Sequence, residues 1–120
     1  MTSKELNFKL ISLLPEIKKR YVDVISWQEG DDTGSHVVFE DVLVPYIIEC
    51  VRTRNQIRLF ECFKVVEEIL STNDEYAEEV ISVSVLESLL FEDCVQSMLS
   101  KYMGQKTKKL FEEVRCGWNM

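Results

Sequence analysis

Between Gln56 and Leu70 the polar positions Arg58, Glu61, Lys64 and Glu68 recur every three or four residues, and nearly everything else is apolar. That period is helical, and a polar stripe so narrow belongs to a helix covered by neighbours on several sides. A chain of 120 residues has room for one such core and little for a second. A domain of that size removes roughly two thirds of its unfolded surface from water, enough to fold without cross-links. The expectation is an all-α fold, residues 1–120 as a single helical domain, with 56–70 near its centre.

The remaining segments supply the covering helices. Thr2 and Glu5 form a capping-box pair, with Leu6, Leu10, Leu13 and Leu14 following on one face. Pro15 disfavours α geometry at Leu14 but suits the start of a second helix carrying Ile17, Tyr21, Val24, Ile25 and Trp27. Residues 29–35 (EGDDTGS) are the clearest loop, and Ser35 is placed to cap a third segment, 36–53. Its β-branched content leaves strand open, but the spacing of Phe39, Val42, Leu43, Tyr46, Ile47 and Cys50 favours a helix, kinked or broken at Pro45.

After the central helix, Thr72 and Glu75 predict a further capping box ahead of Ala77, Val80 and Ile81. The run VISVSVL (80–86) alternates like a strand, yet Ser84 and Glu87 predict a third capping box before Leu89, Leu90 and Phe91. Two helices with a tight junction at 82–84 are expected there. Val95, Met98, Leu99 and Tyr102 extend the pattern to a stop at Gly104, and a last helix is expected at 107–115, ending by Gly117. Six or seven short helices joined by tight turns imply a bundle or a short α-superhelix.

Few features suggest chemistry. The one histidine, His36, stands beside Ser35 and near Asp32, but neighbours in sequence rarely have triad geometry, and a loop or cap histidine is expected. Beside Asp31 or Asp32 it would still report pH. Cys50, Cys62, Cys94 and Cys116 are too dispersed to form the close pairs of a zinc site. They read as reduced and structural, which suits a cytoplasmic protein. Glu29, Asp31 and Asp32 lack the alternating ligands of a calcium loop, and no glycine pattern matches a phosphate-binding loop. No cofactor, metal site or catalytic residue is expected, nor a membrane span.

Charge is the feature left over. The chain carries 21 acids against 14 bases, which disfavours direct binding of nucleic acid. Residues 21–51 hold Asp23, Glu29, Asp31, Asp32, Glu40, Asp41 and Glu49 without a Lys or Arg. Residues 65–100 hold Glu67, Glu68, Asp74, Glu75, Glu78, Glu79, Glu87, Glu92 and Asp93, again without a base. The bases gather at 18–20, 52–64 and 101–109. Such segregation is compatible with a merely solvated surface, but it also steers a basic partner inward.

Several short stretches resemble small, acidic, all-helical bacterial immunity proteins of contact-dependent inhibition and other polymorphic toxin systems. They are Leu14-Pro15-Glu16-Ile17 with Tyr21, Ser35-His36-Val37-Val38-Phe39, Asn73-Asp74-Glu75-Tyr76, and Val83-Ser84-Val85-Leu86-Glu87-Ser88-Leu89. The resemblance implies a non-enzymatic protein that neutralises a cognate toxin domain, often a nuclease, by covering its active site or substrate groove. It carries over no defined interface. A ribonuclease toxin has a basic groove, so the candidate docking residues are Glu29, Asp31, Asp32, Glu40 and Asp41, or Asp74, Glu75, Glu78 and Glu79. Trp27 and Tyr76 are candidate aromatic anchors, with a packed ring the alternative for each. A helical adaptor with a basic partner is the competing reading. A small enzyme would need a deep pocket lined by His36 and carboxylates.

Overall fold

The computed structural model describes residues 1–92 and 96–118. Asp93, Cys94 and Val95, which entered the reading as an acid, a reduced cysteine and a stripe residue, lie outside the described residues. The first helix, α1 (Ser3–Leu13), opens with the expected capping box. Thr2 Oγ1 accepts the Glu5 amide at 3.1 Å and Glu5 Oε1 accepts the Thr2 amide at 2.9 Å. Leu6 and Leu10 are fully buried and Leu13 only half so; the buried Asn7 shares their face. Pro15 begins a 3-10 turn (Pro15–Ile17) that runs into α2 (Lys18–Ser26), which buries Tyr21 and Ile25. Trp27 departs from expectation. It sits just past the end of α2 with 84% of its surface exposed, because the chain turns away before the ring can reach the core.

Ser35–Val38, Phe39–Leu43 and Val44–Arg52 follow one another without a break and form one helix, α3 (35–52). The helical alternative was therefore correct, and Pro45 does not end the helix. Its missing N–H and bulky ring are accommodated by a π turn at Phe39–Leu43, which widens the helix where the ring would meet the preceding carbonyl. Gly34, not Ser35, occupies the cap position, and Ser35 is buried as the first helical residue. Arg54 takes a left-handed φ of 55°, and Asn55 Oδ1 accepts the Arg58 amide at 3.2 Å to start α4 (Gln56–Leu70).

The central placement of α4 holds: it packs against α1, α3, and two later helices, α5 (75–90) and α6 (Gln105–Gly117). Its Leu59, Cys62, Phe63, Val65, Val66, Ile69 and Leu70 are buried. Its first turns are exposed on one side, where Ile57 is 73% and Phe60 53% exposed. The wet face is thus wider at the N-terminal end than the stripe implied.

Glu75–Val80, Ile81–Leu86 and Glu87–Leu90 are likewise continuous as α5, so the expected junction at 82–84 is absent. A second π turn spans Ile81–Leu86. It buries Ile81, Ser84, Val85 and Leu86 and leaves Val83 exposed, so the strand-like alternation in sequence does not correspond to alternating burial. Ser84 caps nothing; it is buried. Thr72 does not cap α5 either. Asn73 adopts a φ of 55°, and Asp74 takes the cap, accepting the Ala77 amide at 2.9 Å. A helical turn (Gln96–Leu99) and a 3-10 turn (Ser100–Tyr102) lead to Gly104 and α6, which starts two residues before the expected boundary.

The described residues are all-α, and their buried apolar side chains form one continuous core. The radius of gyration of 13.4 Å is close to the about 13.6 Å of one domain this long. The arrangement is a bundle around α4 instead of an open superhelix. Cys50 and Cys62 are buried and free, as expected; Cys116 is exposed on α6 and has no place in the core. No helix among the described residues is long and apolar enough to cross a membrane. Phe63 lies fully buried at the centre of α4, so Phe63→Ala should cost about 3–5 kcal/mol in urea unfolding. A cost below about 1 kcal/mol would contradict the central position of α4.

Candidate functional site

The two acidic stretches are built differently. The first centres on residues 29–35. Gly30 supplies a φ of 60°, which an L side chain rarely adopts, and the turn Gly30–Asp32 closes behind it. Thr33 is the internal brace. Its hydroxyl donates to the Gly30 carbonyl at 2.6 Å and accepts the Glu29 amide at 3.1 Å. Its carbonyl accepts the Asn7 carboxamide at 2.8 Å, and Asn7 Oδ1 in turn accepts the Ser35 hydroxyl at 2.8 Å. From the other side, the Tyr21 hydroxyl donates to Asp31 Oδ1 at 3.2 Å. Burial, reinforced by the Asp31 bond, pushes that phenol up to about 12, so it remains a donor.

On this braced turn Glu29, Asp31 and Asp32 are exposed. Glu40 and Asp41 are exposed as well, as the two outward residues of a π turn that buries Phe39, Val42 and Leu43. Among the described residues no cation lies within ion-pair distance of these five carboxylates. Two other acids near them in sequence or space are paired: Glu49 with Arg20, and Glu16 with Arg58. The exposed indole of Trp27 stands two residues before Glu29.

Two acids of the second stretch are committed to the fold. Asp74 caps α5 and holds the Met1 ammonium at 2.5 Å. The ammonium bond, followed by the Ala77 amide, holds its carboxyl below the usual range. Glu67 reaches across to the start of α6. It accepts the Lys106 amide at 3.0 Å, the Thr107 amide at 2.9 Å and the Thr107 hydroxyl at 2.8 Å. An anion here faces the positive end of the helix. A Cβ on Gly104 would come within 2.5 Å of the Glu67 carboxyl carbon, so glycine permits the approach. Burial pushes the Glu67 carboxyl up, but the Thr107 and Lys106 bonds outweigh it and the net shift is downward.

Glu75, Glu78 and Glu79 are exposed along α5 beside Glu113 of α6, an acid that the sequence reading left out because it lies beyond the basic cluster at 101–109. Glu78 also shares a cleft with Lys106 and Lys109, which soften the local field. Tyr76 is a packed ring, its hydroxyl 2.7 Å from Ser3 Oγ and its face edge-on to His36. Of the first group, Glu29, Asp32, Glu40 and Asp41 are exposed and Asp31 is exposed but bonded to Tyr21; of the second, Asp74 is engaged at the start of α5 while Glu75, Glu78 and Glu79 are exposed.

His36 is neither a loop nor a cap residue, and it meets neither Asp31 nor Asp32 in a hydrogen bond. Its Nδ1 lies 2.6 Å from Ser84 Oγ, tying the first turn of α3 to the π turn of α5. Ser35 points elsewhere, to Ser3 and Asn7, so no triad forms. His36 lines none of five open grooves on the surface. Among the described residues no group of three or more His, Cys, Asp or Glu is placed to hold a metal ion.

Two outcomes follow. Asn7→Ala leaves the Thr33 carbonyl without its Asn7 partner and the Ser35 hydroxyl with Ser3 alone, and should cost about 1–3 kcal/mol while speeding amide exchange across 29–33. Unchanged exchange there would mean that the turn is braced without Asn7. For Glu67 the folded pKa is lowered, so its contribution is present above the ordinary 4.5 and lost as pH falls through the depressed value. Urea titrations should show Glu67→Gln less stable than the parent at neutral pH and converging with it in acid; a pH-independent gap would contradict the ionised cap.

Comparison with known proteins adds a family and no activity. No curated protein and no solved structure matches the chain. A family model described as a domain of unknown function (DUF7674) matches residues 8–119, nearly the whole of the bundle just described, and the chain belongs to that family.

Proposed function

We propose that this chain is a protein-binding module whose docking surface is the acidic turn with Trp27, and that its partner is a basic toxin domain which it neutralises as an immunity protein. The observation that carries the proposal is the exposed indole beside unpaired carboxylates on a turn braced before any partner arrives. Tryptophan is among the residues that most often dominate binding energy when a partner encloses it. Bracing the turn removes part of the ordering cost of association. The unpaired charges raise the encounter rate with a cationic groove, an effect of about ten- to a thousandfold at low salt. A nuclease groove that binds phosphates offers such a surface, and the carboxylates would occupy it in place of nucleic acid. The resemblance to immunity proteins supports the toxin as the kind of partner; the acidic turn supports a basic one.

The test is growth rescue with a physical readout. A toxic domain encoded next to this chain is induced in bacteria with and without it, and the complex is purified. Rescue with a one-to-one complex is expected. Trp27→Ala should weaken that complex by about 2 kcal/mol. Asp31→Lys/Asp32→Lys should slow association about tenfold at low salt, whereas Glu78→Lys/Glu79→Lys should change it less. A complex with a basic partner that has no toxicity would make the chain a helical adaptor. Equal association rates for both double variants would remove electrostatic docking from the proposal.

A further inference from the structure

The charge opposite to that of the acidic turn lies at the far end of the same two helices. Arg20, near the start of α2, pairs with Glu49, near the end of α3, while the rest of α2 packs on the first half of α3. The two helices are therefore antiparallel, and the start of one lies with the end of the other. Arg58, in the first turn of α4, joins this corner by pairing with Glu16 and Glu61. The acids that these segments bring to the corner are Glu16, Asp23, Glu49 and Glu61. Three of them are taken by Arg20 and Arg58, and Asp23 shares a shallow cleft with Lys19. That leaves Lys18, Arg52 and Arg54, which are exposed and, among the described residues, have no ion-pair partner. The excess is cationic after each of those acids has been counted. One turn on from Arg54, Ile57 is 73% exposed.

We infer that copies of this chain associate head to tail, the basic corner of one receiving the acidic turn of the next. Charge complementarity selects the second copy. Its turn presents Glu29 and Asp32 unpaired, with Glu40 and Asp41 on the outward π turn, and carries the exposed indole of Trp27 for Ile57 to meet. Within one molecule these surfaces cannot answer each other. α3 runs 35–52 between them, so they stand about 25 Å apart at 1.5 Å per residue. That is several times the Debye length of about 8 Å at physiological salt. The net −7 of each copy opposes the encounter, and the same screening weakens that repulsion more than it weakens charges in contact. Because two different surfaces meet, the contact is heterologous and adds copies in a row unless the rotation closes a ring. It belongs with the small, transient interfaces below about 1,200 Å².

The inference rests on the reading of the acidic turn as a docking surface, not on the toxin, and its test keeps the two apart. Sedimentation equilibrium of the full chain, up to about 1 mM protein, should show an average mass that rises with concentration at about 0.15 M salt. The rise should disappear at about 1 M salt, where the Debye length is about 3 Å. Glu29→Lys/Asp32→Lys and Arg52→Glu/Arg54→Glu change exposed side chains only, and each variant alone should stay monomeric. Mixed, they should associate again, because the intact turn of the second fits the intact corner of the first. Both variants remain net acidic, so attraction between oppositely charged proteins does not explain that recovery. A parent that stays monomeric at 1 mM would overturn the inference, as would association that survives Arg52→Glu/Arg54→Glu or a mixture that stays monomeric. Association lost on Phe60→Ser but kept in both charge variants would overturn it in favour of an apolar contact. Since Arg52→Glu/Arg54→Glu keeps the turn, it should still form the one-to-one complex with a toxin domain. Any of these failures leaves the toxin reading standing.

Discussion

A fully buried carboxamide must find partners for its oxygen and its nitrogen, and the position of Asn7 decides much of how this bundle is assembled. It lies on the core face of α1, where a leucine would be the ordinary choice. Its nitrogen reaches the Thr33 carbonyl and its oxygen the Ser35 hydroxyl, so one side chain joins α1 to the acidic turn and to the start of α3. One turn earlier, Ser3 Oγ accepts the Ser35 amide and shares a hydrogen bond with the Tyr76 hydroxyl, which brings the start of α5 to the same place. Buried polar networks of this kind add modest net stability but specify one arrangement, because a shifted helix would leave several groups unpaired. The exposed carboxylates of 29–32 inherit that rigidity, and of them Asp31 adds to it through the Tyr21 hydroxyl.

The acids divide accordingly. Glu5, Glu67 and Asp74 are spent at helix starts, where amides and the helix dipole favour a negative charge. Glu16 and Glu49 answer arginines from neighbouring helices. Glu75, Glu78 and Glu79 are exposed acids of the second stretch. Glu29, Asp32, Glu40 and Asp41 carry no structural task, and Asp31 accepts only the Tyr21 hydroxyl. Mutual repulsion among such charges disfavours the compact state, so their concentration on one braced turn and one outward π turn is easier to understand as recognition than as folding. In the proposed account the fold holds the turn and a basic partner completes its charge.

Legibility followed range. The Thr2–Glu5 box was readable because both partners lie within one turn, and α4 was readable because its apolar face is long. The boundary at 72–75 was misread by two residues: nothing local announces that Asn73 will adopt a left-handed φ and hand the cap to Asp74. Both π turns were hidden, since Pro45 reads as a break, VISVSVL reads as a strand, and no local signal announces the extra residue per turn. The roles of Asn7, Ser84 and Glu67 depend on partners tens of residues away, which no periodicity reveals. Exposure at Ile57 and Phe60 did leave a trace, for they stand four residues before Glu61 and Lys64 and so share the polar stripe. Of the nine candidate acids, sequence could list them all but could not tell Asp74, a structural cap, from the exposed Asp32.

The central claim is that one acidic face, not the other, receives the partner. The most direct measurement is an NMR titration of the isotopically labelled protein with the basic domain that co-purifies with it. The account predicts shifts of the Trp27 indole N–H and of the amides at 29–32 and 40–41, with those at 75–79 left in place. Shifts confined to 75–79, or an unmoved Trp27 indole in a saturated complex, would contradict it.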